Sequence, residues 1–317
     1  MSTEDLMTSK SGPVRRLYVT GASGFVGHYL TQAVAAGEFG ECEFHSLAHG
    51  VDMRDAEGLR TSLAAAKPHW VIHLAAQSFV PDSFANPRET FDVNLFGTLN
   101  LLQALRAIGF AGRLLYVSSG DVYGAVPESA LPVSESQMPA PRNPYAVSKL
   151  SAEHLCRQWH FSEGLDVVIA RPFNHIGPGQ TTRFVVPGFA SQVACIVAGI
   201  QPPRMVVGDI DVSRDFSDVR DVVRAYAALL RQGKSGLTYN VSSGQEVTVR
   251  SILHRLCQMA GVEPVIETDQ SRFRPNEQRR MMASCDRLRR DTGWEPQISL
   301  EASLGQILNY FRTKETS

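Results

Sequence analysis

Tyr145 and Lys149 stand four residues apart in Tyr145-Ala146-Val147-Ser148-Lys149, with Ser119 upstream and a glycine loop near the N-terminus. Residues at that spacing share one face of a helix. Asn143 is a favoured N-cap and Pro144 a favoured first helical residue, so the pattern predicts a helix beginning just before Tyr145. The phenol then sits at the positive end of the helix dipole, with an ammonium one turn away. Both favour phenolate and are expected to lower a pKa that is ~10 when unperturbed. A tyrosine tuned in this way exchanges a proton with an alcohol or carbonyl near neutral pH. Tyr-x-x-x-Lys alone usually marks a solvated helix face, so its surroundings decide its meaning.

Those surroundings begin with Arg15-Arg16-Leu17-Tyr18-Val19-Thr20, a short strand pattern, followed by Gly21-Ala22-Ser23-Gly24-Phe25-Val26-Gly27 and a helical stretch. Strand, glycine turn and helix form the context of a dinucleotide-binding loop. Gly21 allows the tight turn, Gly24 lets the backbone approach a pyrophosphate, and Gly27 lets the helix pack close. The helix N-terminus offers amide donors to the phosphates. The spacing is G-x-x-G-x-x-G, not the commoner G-x-G-x-x-G.

Strand-like runs at 16–20, 42–47, 69–74, 113–118 and 166–171 alternate with helical patterns near 25–36, 55–66, 88–108 and 144–162. This alternation predicts an α/β fold with a doubly wound parallel sheet of Rossmann type. Leu95, Leu99, Leu102 and Leu105 form a helical stripe that reads as core or subunit interface. Arg171 to Gln180 reads as a proline- and glycine-rich turn, neither strand nor helix. A helix at 218–231 and a strand at 237–241 return to the sheet, and short helices and connections follow Thr248. The expected organisation is a dinucleotide-binding domain over 14–171 plus 211–244, and a smaller discontinuous C-terminal substrate lobe over 172–210 plus 245–317. A cleft between them would take the substrate.

The 317 residues suffice for such a two-part unit, and 43% apolar with 20% charged residues is ordinary for a globular protein. A net charge of −1 gives no sign of nucleic acid or an anionic membrane as partner. No run approaches the ~18 apolar residues of a membrane span. Residues 1–13 read as a disordered tail rather than a signal peptide. The five cysteines are scattered with no C-x-x-C, which points to free thiols in a reducing cytoplasm and to no metal site.

The chain resembles the extended short-chain dehydrogenase/reductases that act on nucleotide sugars. The resemblance covers nearly everything after residue 14. It is carried by the glycine loop, His73-Leu74-Ala75-Ala76, Asn94-Leu95-Phe96-Gly97-Thr98, Ser118-Ser119, Val122-Tyr123-Gly124 and Tyr145-x-x-x-Lys149, in family order. Arg171-Pro172-Phe173-Asn174-His175-Ile176-Gly177-Pro178-Gly179-Gln180, Arg214-Asp215-Phe216 and Phe273-Arg274-Pro275-x-Glu277 look most like the GDP-mannose branch. The resemblance implies reduction of the C4 keto group of GDP-4-keto-6-deoxy-D-mannose for deoxysugar and polysaccharide synthesis. Ser119 and Tyr145 would hold the C4 oxygen, and Lys149 the nicotinamide ribose. The cofactor would lie along Gly21, Ser23, Gly24, Phe25, Val26, Gly27, Asp52, Met53, Leu74, Ala75, Ala76, Asn94, Tyr145, Lys149 and Pro172. The substrate would meet Asp121, Asn174, Phe184, Val185, Arg214, Arg274 and Glu277. Relatives dimerise through a four-helix bundle, to which Leu99, Leu102, Leu155 and Trp159 would contribute. His73 is given no catalytic role, and His175 is expected to shape the substrate turn.

No acid stands at the end of the second strand, in Glu43-Phe44-His45-Ser46-Leu47-Ala48-His49-Gly50, to grip both ribose hydroxyls. NADPH is therefore expected, with NADH tolerated and Arg54 the one arginine that could reach round to a 2′-phosphate. Asp52 reads as an adenine contact, as the cap of the next helix, or as both. Residues 272–290 hold seven arginines, interleaved with Glu277 and Asp286. A solvated basic face accounts for most of them, and Arg214 and Arg274 remain as diphosphate ligands. A dehydratase would need a base where this chain has Asp121. Relatives use glutamate, and the missing methylene leaves the carboxylate ~1 Å short, a misplacement that costs ~100-fold. An epimerase, reduction to GDP-6-deoxy-D-talose and a non-catalytic nucleotide sensor are the other readings. The sensor is disfavoured because both Tyr145 and Lys149 are present.

Overall fold

The computed structural model describes residues 14–47, 51–273 and 278–315. The tail at 1–13 and the expected ligands Arg274 and Glu277 lie outside the described residues. The first half runs β1 (Arg15–Thr20), α1 (Phe25–Ala35), β2 (Cys42–Ser46), α2 (Ala56–Ala66), β3 (Trp70–His73), α3 (Val80–Ala85), α4 (Pro87–Phe91), α5 (Gly97–Ala107), β4 (Arg113–Val117), α6 (Pro144–Glu163) and β5 (Asp166–Pro172). The second half runs β6 (Asn174–Ile176), α7 (Val185–Val197), β7 (Arg204–Val207), β8 (Ser213–Asp218), α8 (Val219–Gln232), β9 (Thr238–Val241), β10 (Glu246–Thr248), α9 (Val249–Ala260), β11 (Val265–Thr268), α10 (Asp286–Thr292) and α11 (Leu300–Glu315).

The main sheet is six-stranded and parallel, in the order β2-β1-β3-β4-β5-β9. Successive strand residues point to opposite faces. Leu17, Val19, Ile72, Leu115 and Val168 join a core with α1 and α8, while Tyr18, Val71, Leu114, Tyr116 and Val167 join a core with α2, α5 and α6. The fold is thus the doubly wound sheet the alternation predicts. The strand order reverses between β1 and β3, which places a ligand crevice at the carboxyl ends of those strands. A separate apolar core gathers Ile176, α7, Met205, Val207, Phe216, α9 and α11. Cys285, Leu288 and Trp294 pack back into the core shared by α1 and α8.

Two expectations are corrected. The helix expected over 88–108 is α4, a π-helical turn at Asp92–Phe96, and α5. The turn region after Arg171 contains β6, which pairs in parallel with β8 from Asn174↔Phe216 to Ile176↔Asp218. That pairing is long-range, so local proline and glycine content hides it. Leu102 and Trp159, named as bundle contacts that could equally be core, are buried in this chain's own core. None of the five cysteines is in a disulfide. No described helix is long and apolar enough to cross a membrane.

Candidate active site

The glycine loop lies at the β1/β3 crevice. Gly21 has φ +75°, in the left-handed region, and a Cβ there would fall 2.7 Å from the Ala75 amide nitrogen. Only glycine lets the loop after β1 lie this close to the Leu74-Ala75-Ala76 segment after β3. Gly24 is the N-cap of α1 and supplies no side-chain acceptor, so amides of the first turn remain open to an anion. Ser23 and Gly24 are exposed, Phe25 and Val26 half-buried, and Gly27 buried. Open amides and glycines at Gly21 and Gly24 fit a dinucleotide diphosphate.

The ends of β1 and β3 are pinned by a buried chain of hydroxyls and imidazole. The Thr20 hydroxyl lies 2.6 Å from His73 Nδ1, and His73 Nε2 lies 3.0 Å from the Thr98 hydroxyl. Thr98 donates to the Asn94 carbonyl at 2.6 Å and the Ala75 amide donates to Thr20 at 3.3 Å. This orders the ring with its proton on Nε2. Burial keeps His73 neutral, its pKa pulled down to about 3, with the Lys149 charge adding to the effect. The residue is structural, as its strand-end position suggests.

α6 begins where expected: the Asn143 side chain accepts from the Ala146 amide at 2.7 Å and Pro144 opens the helix. Asn94 sits in the π turn, buried, and clamps α6. It accepts from the Gln77 amide at 2.8 Å and donates to the Gln77 carbonyl at 3.0 Å and to Ser148 at 2.9 Å. Ser148 in turn donates to the Tyr145 carbonyl at 2.7 Å. The widened helix turn lets Asn94 aim inward, a common use of π geometry.

Ser119 caps a 3-10 turn at Gly120–Tyr123, and its hydroxyl accepts from the Asp121 amide at 3.1 Å. The same hydroxyl lies near enough to the Tyr145 phenol to favour its ionised form. Ser119, Tyr145 and Asp121 are therefore brought together across 24 residues of chain from Asp121 to Tyr145. The expected depression of the Tyr145 pKa is overturned. Burial, and then the Asp121 carboxylate, push the phenol up, and the nearby Ser119 hydroxyl opposes them. Lys149 is buried too, with its ammonium 4.9 Å from the Tyr116 ring. Burial pulls its pKa down to about 8, against the charge of Glu153. The site holds a protonated phenol, the form a proton donor needs.

Asp52 and Arg54 engage each other: Nε to Oδ1 at 3.0 Å and a terminal nitrogen to Oδ2 at 2.6 Å. The helix-cap reading of Asp52 is corrected, because Asp55 caps α2 by accepting from Gly58 at 2.9 Å. Met53 is buried, and its carbonyl accepts from Asn100 at 2.9 Å. Pro172 ends β5 opposite Val241. His175 stacks on Phe25 with ring centroids 6.2 Å apart, and the Tyr29 hydroxyl donates to the Pro178 carbonyl at 2.8 Å, so the turn after β5 is fastened to α1. Asn174 donates to the Asp215 carbonyl at 3.3 Å. Phe184 and Val185 open α7, where Phe184 meets Phe79 edge-on at 5.8 Å. Arg214 donates to the Ser213 carbonyl at 2.7 Å.

Sequence reasoning missed Glu153, Asp215 and Asn240. Asp215 is fully buried and accepts from the Ser243 amide at 2.8 Å, its hydroxyl at 2.6 Å and the Gly244 amide at 3.0 Å. Glu153 carried a legible signal, since it extends the Tyr145–Lys149 spacing by one more turn. The basic stretch behaves as a paired surface: Arg279 meets Asp209, Arg280 meets Glu246 and Glu128, and Arg289 meets Asp286 and Glu295.

Comparison with known proteins agrees with this geometry. A family model described as GDP-mannose 4,6 dehydratase matches residues 41–307. GDP-6-deoxy-D-mannose reductase of Pseudomonas aeruginosa is 50% identical over 300 residues, covering 95% of this chain and 98% of that protein. The structure of RMD from Pseudomonas aeruginosa complexed with NADPH is similar with a TM-score of 0.91 at 49% identity, covering 95% of this chain and 99% of that one. UDP-glucose 4-epimerase of Thermus thermophilus in complex with NAD is similar with a TM-score of 0.83 at 31% identity, over 94% of this chain and 99% of that one. With its Tyr-x-x-x-Lys motif, glycine loop and sheet order in place, this chain belongs to the GDP-mannose 4,6-dehydratase family of nucleotide-sugar short-chain dehydrogenase/reductases.

Proposed function

We propose that this chain is an NADPH-dependent reductase that converts GDP-4-keto-6-deoxy-D-mannose to GDP-6-deoxy-D-mannose, that is, GDP-D-rhamnose. The observation that carries the reading is 50% identity with a GDP-6-deoxy-D-mannose reductase over 95% of the chain. The protonated Tyr145 supports it, because ketone reduction begins with a donor rather than a base.

NADPH, when bound, supplies the hydride for C4. Gly21, Ser23, Gly24, Phe25, Val26 and Gly27 would receive its diphosphate on the open amides of α1, with Asp52, Met53, Leu74, Ala75, Ala76, Asn94 and Pro172 along the rest of the groove. Tyr145 gives its phenolic proton to the C4 oxygen as the alcohol forms. Ser119, whose hydroxyl is close enough to influence that phenol, holds the same oxygen. The Lys149 ammonium orients the nicotinamide ribose and stabilises the phenolate left behind. Asp121, Asn174, Phe184, Val185 and Arg214, with Arg274 and Glu277, would bind the GDP-sugar.

The dehydratase reading keeps one specific support, the family model that bears that name. Asp121 stands where it would need a longer base. The enzyme is further proposed to be cytoplasmic, to serve polysaccharide synthesis and to form a homodimer. Exposed Phe84, Phe96 and Val147 on α3, the π turn and α6 support the dimer, at 62%, 48% and 38% exposure.

The test mixes purified protein with GDP-4-keto-6-deoxy-D-mannose and NADPH, follows the nicotinamide absorbance, and identifies the sugar by NMR. NADPH oxidation with GDP-D-rhamnose formed is the expected result. GDP-6-deoxy-D-talose would reverse the stereochemistry, and dehydration of GDP-mannose without NADPH oxidation would move the enzyme one reaction earlier.

A further inference from the structure

The face of α6 that carries Tyr145 and Lys149 continues one turn to Glu153, which the proposed chemistry does not use. Glu153 is a carboxylate with no solvent exposure. It accepts from Arg171 through Nε at 2.9 Å and a terminal nitrogen at 2.6 Å, a two-pronged bond of the strongest geometric type. Arg171 is itself 2% exposed and immediately precedes Pro172 in β5. Its guanidinium carbon lies 4.7 Å from the centre of the Tyr123 ring. Tyr123 ends the 3-10 turn that Ser119 caps, and its hydroxyl donates to Asn240 at 2.7 Å. Asn240 is in turn the register partner of Arg171 across β5 and β9. One ion pair therefore touches the helix of Tyr145 and Lys149, the turn of Ser119, and the strand that launches Pro172 and Asn174.

Stability alone does not explain the pair. Removing two charges from water is costly, and apolar replacements of such pairs are often neutral or stabilising. We propose that the Glu153–Arg171 pair is a positioning device, which keeps the Lys149 ammonium and the Ser119 turn in register with the Tyr145 phenol. The proposal rests on the reductase reading for its kinetic consequences but not for its geometry.

The charges around Lys149 single out Glu153. From β3, His73 is neutral, and from β4 and α6, Tyr116 and Cys156 are pushed up by burial and stay protonated. Tyr145 is protonated too, with Asp121 facing it from the 3-10 turn. Arg171 of β5 and Arg157 of α6, the latter at 3.5 Å, lie against the Glu153 carboxylate. Among these groups the Glu153 charge is the largest support of the Lys149 ammonium. Removing it lowers the Lys149 pKa.

The test compares wild type with Glu153→Gln and with the double variant Glu153→Leu/Arg171→Met, in which no buried charge is left unpaired. In both, kcat is expected to fall by about tenfold or more, with KM for the keto sugar within about threefold. The alkaline limb of the kcat profile is expected to move down by about one pH unit. A structural role alone would lower the thermal midpoint and leave that limb in place. Should Glu153→Gln fail to fold, the double variant decides. A folded double variant with wild-type kcat and an unmoved alkaline limb overturns the proposal. An NMR titration of 15N-labelled lysine reads Lys149 without turnover. If wild type itself does not reduce the keto sugar, the reductase reading fails. The positioning role is then judged by the Lys149 titration, where no downward shift overturns it.

Discussion

Replacing Gly27 with alanine tests whether the glycine loop is the cofactor seat. A Cβ at Gly27 would lie 2.4 Å from the Ala22 carbonyl oxygen and 2.5 Å from the Ala22 carbonyl carbon and Cα. Non-bonded carbon contacts relax near ~3.5 Å, so the loop and the first turn of α1 must separate by about 1 Å. All three atoms belong to the backbone, and no rotamer change relieves the clash. A displacement of ~1 Å at a positioned group costs about 100-fold, or about 2.7 kcal/mol at ~1.36 kcal/mol per tenfold. The Kd for NADPH, from nicotinamide fluorescence, is accordingly expected to rise by about 10- to 100-fold. Gly37→Ala is the control. Gly37 has φ +80° and nothing within 4 Å of the place a Cβ would take, so alanine there meets backbone strain alone. That strain is about 1–2 kcal/mol of stability and leaves NADPH affinity unchanged. Wild-type NADPH binding by Gly27→Ala, or equal weakening in both variants, refutes the assignment of the loop geometry to cofactor binding.

Tyr145→Phe removes the proposed proton donor and is expected to lower kcat by about 100- to 10,000-fold with the NADPH Kd unchanged; comparable loss of both would point to misfolding instead. Asp121→Asn removes a charge that disfavours phenolate, so the Tyr145 phenol should ionise at lower pH in an ultraviolet difference titration, and an unchanged or higher midpoint contradicts the placement. His73 has a folded pKa of about 3, against 6.5 for an ordinary histidine. The unfolded chain therefore binds the extra proton as pH falls below ~6.5, and stability is lost progressively towards pH ~3. Between pH 7 and pH 5 this amounts to about 2 kcal/mol in urea unfolding, and His73→Gln should remove that share of the pH dependence. Phe96→Glu should shift a dimer to monomer in analytical ultracentrifugation while leaving the thermal midpoint of the monomer near wild type, and an unaltered sedimentation coefficient excludes Phe96 from the interface.

Much of the site is legible in the sequence because its signals are local. The Asn143-Pro144 cap fixes the start of α6, and the cap bond to Ala146 forms as the residue types require. The six strands of the main sheet fall within one residue of their expected limits, since each is a short apolar run between turn residues. What escapes the sequence depends on distant partners. β6 exists because β8 lies beside it, and the π turn exists because Asn94 must reach Gln77 and Ser148. The direction of the Tyr145 shift reversed for the same reason. Helix dipole and neighbouring lysine can be read from spacing, whereas burial and the approach of Asp121 arise only when the 3-10 turn folds over α6. Leu102 and Trp159 share the periodicity of an interface stripe, and only the packing of α2, α5 and α6 assigns them to the interior.

The protonation of Tyr145 also bears on which reaction this scaffold begins. Dehydratases and epimerases of nucleotide sugars start by oxidising a C4 hydroxyl, and their tyrosine must first take a proton. A reductase starts from a C4 ketone, and its tyrosine must first give one. A positively charged oxidised nicotinamide would help a phenolate form, whereas reduced nicotinamide carries no such charge. In this chain burial and the Asp121 carboxylate both oppose phenolate, and the Lys149 ammonium lies over the Tyr116 ring. The electrostatics of the free protein thus match the starting state of the reductive reaction. The same Asp121 that stands one methylene short of the glutamate a dehydratase would use is a charge that disfavours phenolate at Tyr145, which suits the proposed reductive direction.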